Sequence, residues 1–558
     1  MLKSRRAFIK SSALAAGALA LPAFRLHVRP SFDIVLQGGT FLDGTGGPAW
    51  KGDIGIQGEV ITGLGSISSE QAKRVVDISG FHVAPGFIDI HSHSDGNILA
   101  YSTADSRVRQ GVTTELTGNC GSSAAPFVEN EEGRRRKERY KEEGIELDWN
   151  SVSSYCSRLE RDRLSINQAL LIGQGTLRSN VVGNVDRELN QDELRAVLAS
   201  VEAGMDEGAF GVSTGLEYIP GQFTKTDEIV ELVRIVARYG GLYASHIRDE
   251  EAMLLEAVAE AIEIGRRTGA RVEISHLKAA GRPYWKKQRA ALDLIESARE
   301  GGVNVLADAY PYTAFSTSLT VFLPGWALEG GTSAMLKRLA DKQQRTTIRR
   351  EADRKVSESP GAYDLVAISR VSTAKNQSVV GKHLHAIAAE WKVEPVDALL
   401  RLIQEEEGAV GFVGHGISAE NVDMVLSHPL VMVGSDGSSM SPVGRAGQSR
   451  PHPRSYGAFP RVLGHYCRER KLFDLPTAIK KMTSMPADQI GIRDRGRIAR
   501  NLKADLVVFD AATIRDEATF DDPHRYPVGI HHVLVNGQFV VENGSHTGAK
   551  PGRALRRM

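Results

Sequence analysis

The chain has 558 residues, of which 41% are hydrophobic and 25% charged, and its net charge is +1. That length exceeds one small core and requires either a large domain with appendages or two to three domains. The near-neutral charge gives no electrostatic case for a nucleic acid or an anionic membrane as partner, and three cysteines cannot build a disulfide framework.

The first segment, Ser4-Arg5-Arg6-Ala7-Phe8-Ile9-Lys10, is similar to the twin-arginine export motif. An Ala-rich apolar run follows, too short for a comfortable membrane span and typical of a signal peptide. Residues 1–25 are therefore expected to be a twin-arginine signal. The mature chain is expected to be periplasmic or secreted, with the export machinery as partner and no stable membrane span. From residue 32 short alternating runs broken by glycines predict small antiparallel strands. Residues 504–510 and 532–541, the latter around Asn536-Gly537, have the same texture. The two ends, 32–84 and 489–550, are expected to form one composite β-domain.

Between them strand and helix patterns alternate over 85–488. Eight apolar runs read as strands: 87–91, 113–117, 168–172, 208–213, 241–246, 271–276, 304–309 and 430–434. Amphipathic stretches such as 191–205, 226–239 and 250–268 separate most of them. This α/β pattern predicts a (β/α)8 TIM-like barrel rather than an open sheet. Two segments interrupt the count. Residues 129–147 mix acids and bases and read as a solvated helical insertion. Residues 315–425 are too long for one connection and predict an inserted subdomain before the last strand, able to cover the barrel mouth.

Polar residues recur where these strands end, which is where barrel enzymes place their chemistry. In Ala84-Pro-Gly-Phe-Ile-Asp-Ile-His-Ser-His-Ser-Asp95 an apolar run closes on His91 and His93. Positions separated by one residue share a face of a strand, so both imidazoles can reach one cation. Cys120 follows the second strand, His246 and His276 end the fifth and sixth, and Asp436 follows the eighth. Six metal-competent side chains at the same end of successive strands predict a metal site. Cys156, Cys467, His383, His415, His428 and His465 fall outside strand ends and are read as structural.

These residues resemble the amidohydrolase superfamily. More closely, Gly118-Asn-Cys-Gly121, Ser213-Thr-Gly-Leu-Glu-Tyr218, Ser245-His-Ile-Arg-Asp249, Ile274-Ser-His-Leu-Lys278 and Gly434-Ser-Asp-Gly437 resemble the N-acyl-D-amino-acid deacylases. The resemblance implies zinc held tightly by Cys120, His246 and His276, and a second, weaker ion by His91, His93 and Asp436. It implies hydrolysis of an N-acyl-D-amino acid by metal-bound hydroxide, with Asp436 carrying the proton. It also implies that Lys278, Tyr218, Tyr310 and Arg454 meet the substrate, with Tyr312 an equal neighbour of Tyr310. Strand four lacks the bridging Lys of many relatives, which argues against a dihydroorotase or hydantoinase, and Glu217 is the lesser candidate for a ligand there. A dipeptidase or other amidase is the alternative within the fold, and a non-enzymatic binding barrel the alternative outside it.

Overall fold

The computed structural model describes residues 31–357 and 362–557. The expected signal, 1–25, lies outside them. Eight parallel strands form the central sheet: β1 (Phe87–Asp89), β2 (Val112–Thr117), β3 (Asn167–Gly173), β4 (Gly211–Gly215), β5 (Leu242–His246), β6 (Arg271–Ile274), β7 (Val305–Ala309) and β8 (Val431–Val433). Neighbours in sequence are neighbours in space, and a parallel bridge between Ser92 and Gly437 closes β8 onto β1. This is the eight-stranded barrel that the alternating pattern requires, each strand nearly or wholly buried because helices cover its outer face.

Inward side chains of alternate positions, among them Ile88, Leu116, Leu171, Leu242, Ala244, Leu306 and Met432, fill the barrel interior. The helix Ser484–Ile490 plugs its floor with Ala487 and Ile490. The outer helices carry the expected stop and start signals. Asn190 caps Gln191–Asp206 in a capping box with Glu193, and Gly269 ends Leu254–Thr268 in a left-handed turn. The buried Arg107 ties the seam of the barrel. It meets Asp89 on β1, Glu115 on β2 at 2.7 Å, and Ser435 after β8 at 2.8 Å.

Both ends of the chain build one sheet. Leu506–Phe509, Ile530–Val535 and Gln538–Glu542 from the C-terminal part are joined through His82–Pro85 to Phe32–Phe41, Trp50–Gln57 and Val60–Gly65. Its edges differ from the sequence-based limits. Ile490 and Ile492 belong to the barrel interior, not to the β-domain. Beyond residue 550, Ala554 bridges Gln168 on β3 and staples the tail to the barrel.

The insertion has its own three-stranded sheet, Phe315–Ser318, Val366–Arg370 and Gly411–Gly414, and a separate apolar core from Leu319 to Phe412. It ends earlier than expected, because the helix Ala419–Ser427 packs on β7 and β8 as the last barrel helix. Within residues 129–147, expected to be a solvated helical insertion, the helix Glu131–Glu142 buries Gly133 and Tyr140 and presents Arg136 and Arg139 to a cavity beside the barrel mouth. No helix among the described residues is long and apolar enough to cross a membrane.

Candidate metal centre

The predicted ligands converge at the carboxyl ends of the strands. The loops that deliver them are held in uncommon backbone. Cys120, His276 and Asp436 have φ of 52°, 37° and 51°, the left-handed region that non-glycine residues seldom enter. Three such residues in one cluster mark a site whose geometry is imposed by its surroundings. Gly118 shows how. Its φ is +79°, and a Cβ there would stand 2.1 Å from the Leu171 carbonyl oxygen, so only glycine lets this turn pass over β3 and bring Cys120 inward.

Cys120 is the centre of the cluster. Its Sγ lies 3.3 Å from Nε2 of His91 and 3.4 Å from Nε2 of His276, while Nδ1 of His246 lies 2.9 Å from Nε2 of His276. Oδ1 of Asp436 lies 3.0 Å from Nε2 of His93 and 3.6 Å from Nε2 of His91. Two sets of donor atoms result, Cys120 with His246 and His276, and Cys120 with His91, His93 and Asp436, each within 4.8 Å. A thiolate with imidazoles suits a borderline-soft ion such as zinc. Burial alone would raise the Cys120 thiol, yet the His91 and His276 rings hold it well below its ordinary pKa, in the anionic form that a metal needs.

Three of the histidines show a second regularity. Each presents one ring nitrogen to the cluster and the other to a carboxylate: Nδ1 of His91 to Asp308 at 3.2 Å, Nε2 of His246 to Glu217 at 3.1 Å, and Nδ1 of His276 to Glu250 at 3.0 Å. Such outer carboxylates fix the tautomer and aim the free nitrogen of a metal-ligating histidine. Asp308 also accepts the backbone N–H of His276 at 3.0 Å. Sequence reasoning missed Asp308 and Glu250. The signals were a carboxylate near the end of a seventh strand, and one four residues beyond His246. Glu217, weighed as a ligand, instead stands behind one.

The four substrate-facing candidates separate into two pairs. Arg454 and Tyr218 line a cavity of about 380 Å³ that opens onto Cys120, His276 and Asp436. Nη1 of Arg454 stands 2.8 Å from Oδ2 of Asp436, and the Tyr218 hydroxyl accepts a hydrogen bond from Thr317 at 3.2 Å. Burial would raise Asp436, but Arg454 and the His93 hydrogen bond hold its carboxyl well below the usual range. Lys278 and Tyr310 lie behind His276, against a small void of about 10 Å³. The Lys278 ammonium, expected to meet the substrate carboxylate, is paired with Glu250 at 2.5 Å. The Tyr310 ring lies between Lys278 and Arg454, whereas Tyr312 turns towards Arg461, His452 and Phe520. The remaining histidines and cysteines lie elsewhere: His428 pairs with Glu296 and His465 with Glu469, while Cys156 sits in the core.

A closed barrel with a thiolate, imidazoles and a carboxylate gathered at the carboxyl ends of its strands is the layout of a metal-dependent hydrolase. The chain belongs to the amidohydrolase family, which matches residues 74–541, and within it to the N-acyl-D-amino-acid deacylases. It is 35% identical over 537 residues to a D-aminoacylase of Alcaligenes xylosoxydans xylosoxydans, covering 94% of this chain and 98% of that protein. It is equally 35% identical to an N-acyl-D-glutamate deacylase of the same organism, covering 95% and 98%. Among solved structures, an N-acyl-D-glutamate deacylase from Bordetella bronchiseptica, complexed with zinc and a phosphonate mimic of the tetrahedral intermediate, superposes with a TM-score of 0.80. It is 33% identical, and the match covers 94% of this chain and all of that one.

Proposed function

We propose that this protein is a zinc-dependent deacylase that hydrolyses N-acyl-D-amino acids to a carboxylate and a free D-amino acid. The observation that carries the reading is the Cys120, His246 and His276 donor set with Glu217 and Glu250 behind its histidines. The D-aminoacylase relatives support the substrate class. Zinc bound there supplies Lewis-acid polarisation of the amide carbonyl and lowers the pKa of water. Cys120, His246 and His276 hold the tight ion, and His91, His93 and Asp436 offer a weaker second place that shares Cys120. A solved D-aminoacylase with a binuclear metal centre, described by one-metal activation and second-metal attenuation, supports that division.

The chain's own groups then do the rest. Asp436, with Oδ1 towards the histidines and Oδ2 towards Arg454, takes a proton from the attacking water. It later gives that proton to the leaving amine. Arg454 offers a guanidinium to the substrate carboxylate at the cavity wall, and Tyr218 offers a hydroxyl. The test is a chiral panel of N-acetyl-D-amino acids, N-acetyl-L-amino acids and dipeptides with the zinc-loaded protein. Preference for the D-series is expected, and preference for L-substrates or dipeptides would refute the reading.

The twin-arginine motif at Arg5-Arg6 supports export of the folded, metal-loaded enzyme to the periplasm. Replacing both arginines by lysine should leave activity in the cytoplasmic fraction, and unchanged export would remove this part of the proposal.

A further inference from the structure

Strand β4 stands between β3 and β5 in the barrel, yet it contributes no atom to either set of donors. Its end meets the turn Gly118-Asn-Cys-Gly121 instead. Val212 packs into the outer core, so the alternation of a strand turns Ser213 and Gly215 inward. Both are buried.

The two residues meet the turn in complementary ways. An ordinary four-residue turn closes by a hydrogen bond from the fourth N–H to the first carbonyl. Here the Ser213 hydroxyl stands between those two groups. It accepts the Gly121 N–H at 3.0 Å and donates to the Gly118 carbonyl. Gly215 offers bare backbone: a Cβ there would stand 2.2 Å from the Cys120 carbonyl oxygen, so the Cys120 peptide rests directly on β4. Other ties hold the turn from outside. Nδ2 of Asn119 donates to the Leu116 carbonyl at 2.9 Å, and the Thr176 N–H to the Gly121 carbonyl at 3.0 Å. Cys120, in the middle with φ of 52°, occupies a conformation that its surroundings must impose. The outcome is a sulfur 3.3 Å from Nε2 of His91 and 3.4 Å from Nε2 of His276, between the two donor sets.

We propose that Ser213 is a positioning residue for Cys120: its hydroxyl, inserted into the turn, props the turn open and sets where the thiolate stands between the two donor sets. The inference rests on the zinc site proposed above and gives the strand without a ligand a part in building it. Without the hydroxyl, the Gly118 carbonyl and the Gly121 N–H are either left unpaired in a buried place or bond each other by tightening the turn. Either route displaces Cys120, which lies between them.

The experiment compares Ser213→Ala with Thr214→Val in the full chain. Thr214 is the next residue on β4, and its hydroxyl meets Tyr243 at 3.1 Å and Ser245 at 3.0 Å rather than the turn. Each variant thus removes one buried hydroxyl with two partners from the same strand. Competition with a chelator should show zinc affinity lowered about tenfold in Ser213→Ala, the scale of a lost outer partner, and kept within about twofold in Thr214→Val. With cobalt in place of zinc, the thiolate-to-metal charge-transfer band should weaken or shift in Ser213→Ala alone. In the metal-free protein, amide exchange followed by mass spectrometry on a peptide spanning Leu116–Ala124 should accelerate in Ser213→Ala alone. Unchanged zinc affinity and cobalt spectrum in Ser213→Ala, or equal losses in both variants, would overturn the role of Ser213. Faster exchange in Ser213→Ala with a wild type that binds no zinc would support the prop and refute the zinc reading, so the two fail separately.

Discussion

Nη1 of Arg454 stands 2.8 Å from Oδ2 of Asp436, on the side of the carboxylate facing away from His93. In the proposed mechanism the pair joins the proton carrier to the cation that meets the substrate, so the two are expected to respond together. Arg454→Met should remove a substrate contact and release Asp436 from its fixed orientation. A fall in kcat/KM of roughly 100-fold is expected, the scale of a lost charge-assisted contact plus misorientation. Arg454→Lys should recover part of it. A variant with only a raised KM and normal kcat would show that Arg454 binds substrate without orienting Asp436.

Metal retention tests the layers of the centre separately. Cys120→Ala should lose most of the bound zinc, measured by elemental analysis after dialysis, because it removes the thiolate common to both donor sets. Asp308→Ala leaves every direct donor in place but frees Nδ1 of His91 and the His276 backbone N–H. Loss of an outer partner typically costs about 10- to 100-fold in metal affinity, and competition with a chelator reads that directly. Asp436→Asn should keep the tight ion while losing turnover. Zinc loss as complete as in Cys120→Ala would move Asp436 from proton carrier to essential ligand.

The barrel and most of the donor groups gathered at its mouth were legible because both follow short-range rules. Strand and helix periodicities in alternation imply parallel strands, and functional residues collect at their carboxyl ends. What stayed hidden depends on distance through space. Asp308 and Glu250 lie on segments far in sequence from His91 or one turn beyond His246, and nothing local says which way they face. Lys278 shows the same limit: its charge was visible in Ile274-Ser-His-Leu-Lys278, but its pairing with Glu250 was not. The helix Glu131–Glu142 read as solvated because its mixed charges average out. Only the folded chain shows Arg135 paired with Glu407 and Lys137 with Glu129 while Gly133 and Tyr140 turn inward.

The Gly118 turn makes a sharp steric prediction. Gly118→Ala would place a methyl group 2.1 Å from the Leu171 carbonyl oxygen in a positive-φ conformation. The loop must shift, and Cys120 shifts with it. Zinc content and activity should both drop, with a loss of stability of about 1–3 kcal/mol from strained backbone. A fully zinc-loaded Gly118→Ala protein would mean that β3 yields instead.

The seam of the barrel offers a stability test. Arg107 is fully buried with Asp89 and Glu115, both also fully buried. Arg107→Met leaves those two carboxylates without their cation, and removing one partner from a buried ion pair costs about 3–5 kcal/mol. Urea unfolding should show the loss. The triple substitution Arg107→Met/Asp89→Leu/Glu115→Leu should recover much of it, since replacing an entire buried ion cluster by apolar groups is often nearly neutral.

Lys481 supplies a pH dependence away from the metal centre. It lies buried on the helix Leu475–Met482, under the start of β8, and its Nζ donates to the carbonyls of His428 and, at 2.7 Å, Val431. Burial, with the nearby charge of Lys480, lowers its pKa from 10.5 to about 7. As a neutral amine it still has the N–H groups that those two carbonyls need. The sign follows from proton counting. Below pH 7 the lysine is charged both folded and unfolded, and the cost of burying that charge is fully present. Between about 7 and 10.5 the unfolded chain holds a proton that the folded chain does not, so stability rises with pH across that window. The stability of the wild type relative to Lys481→Met should therefore increase by about 1.4 kcal/mol per pH unit, or roughly 2 kcal/mol between pH 7.5 and 9. Urea unfolding of both proteins at the two pH values measures it. A difference that stays flat would mean that the two carbonyls hold the lysine charged throughout.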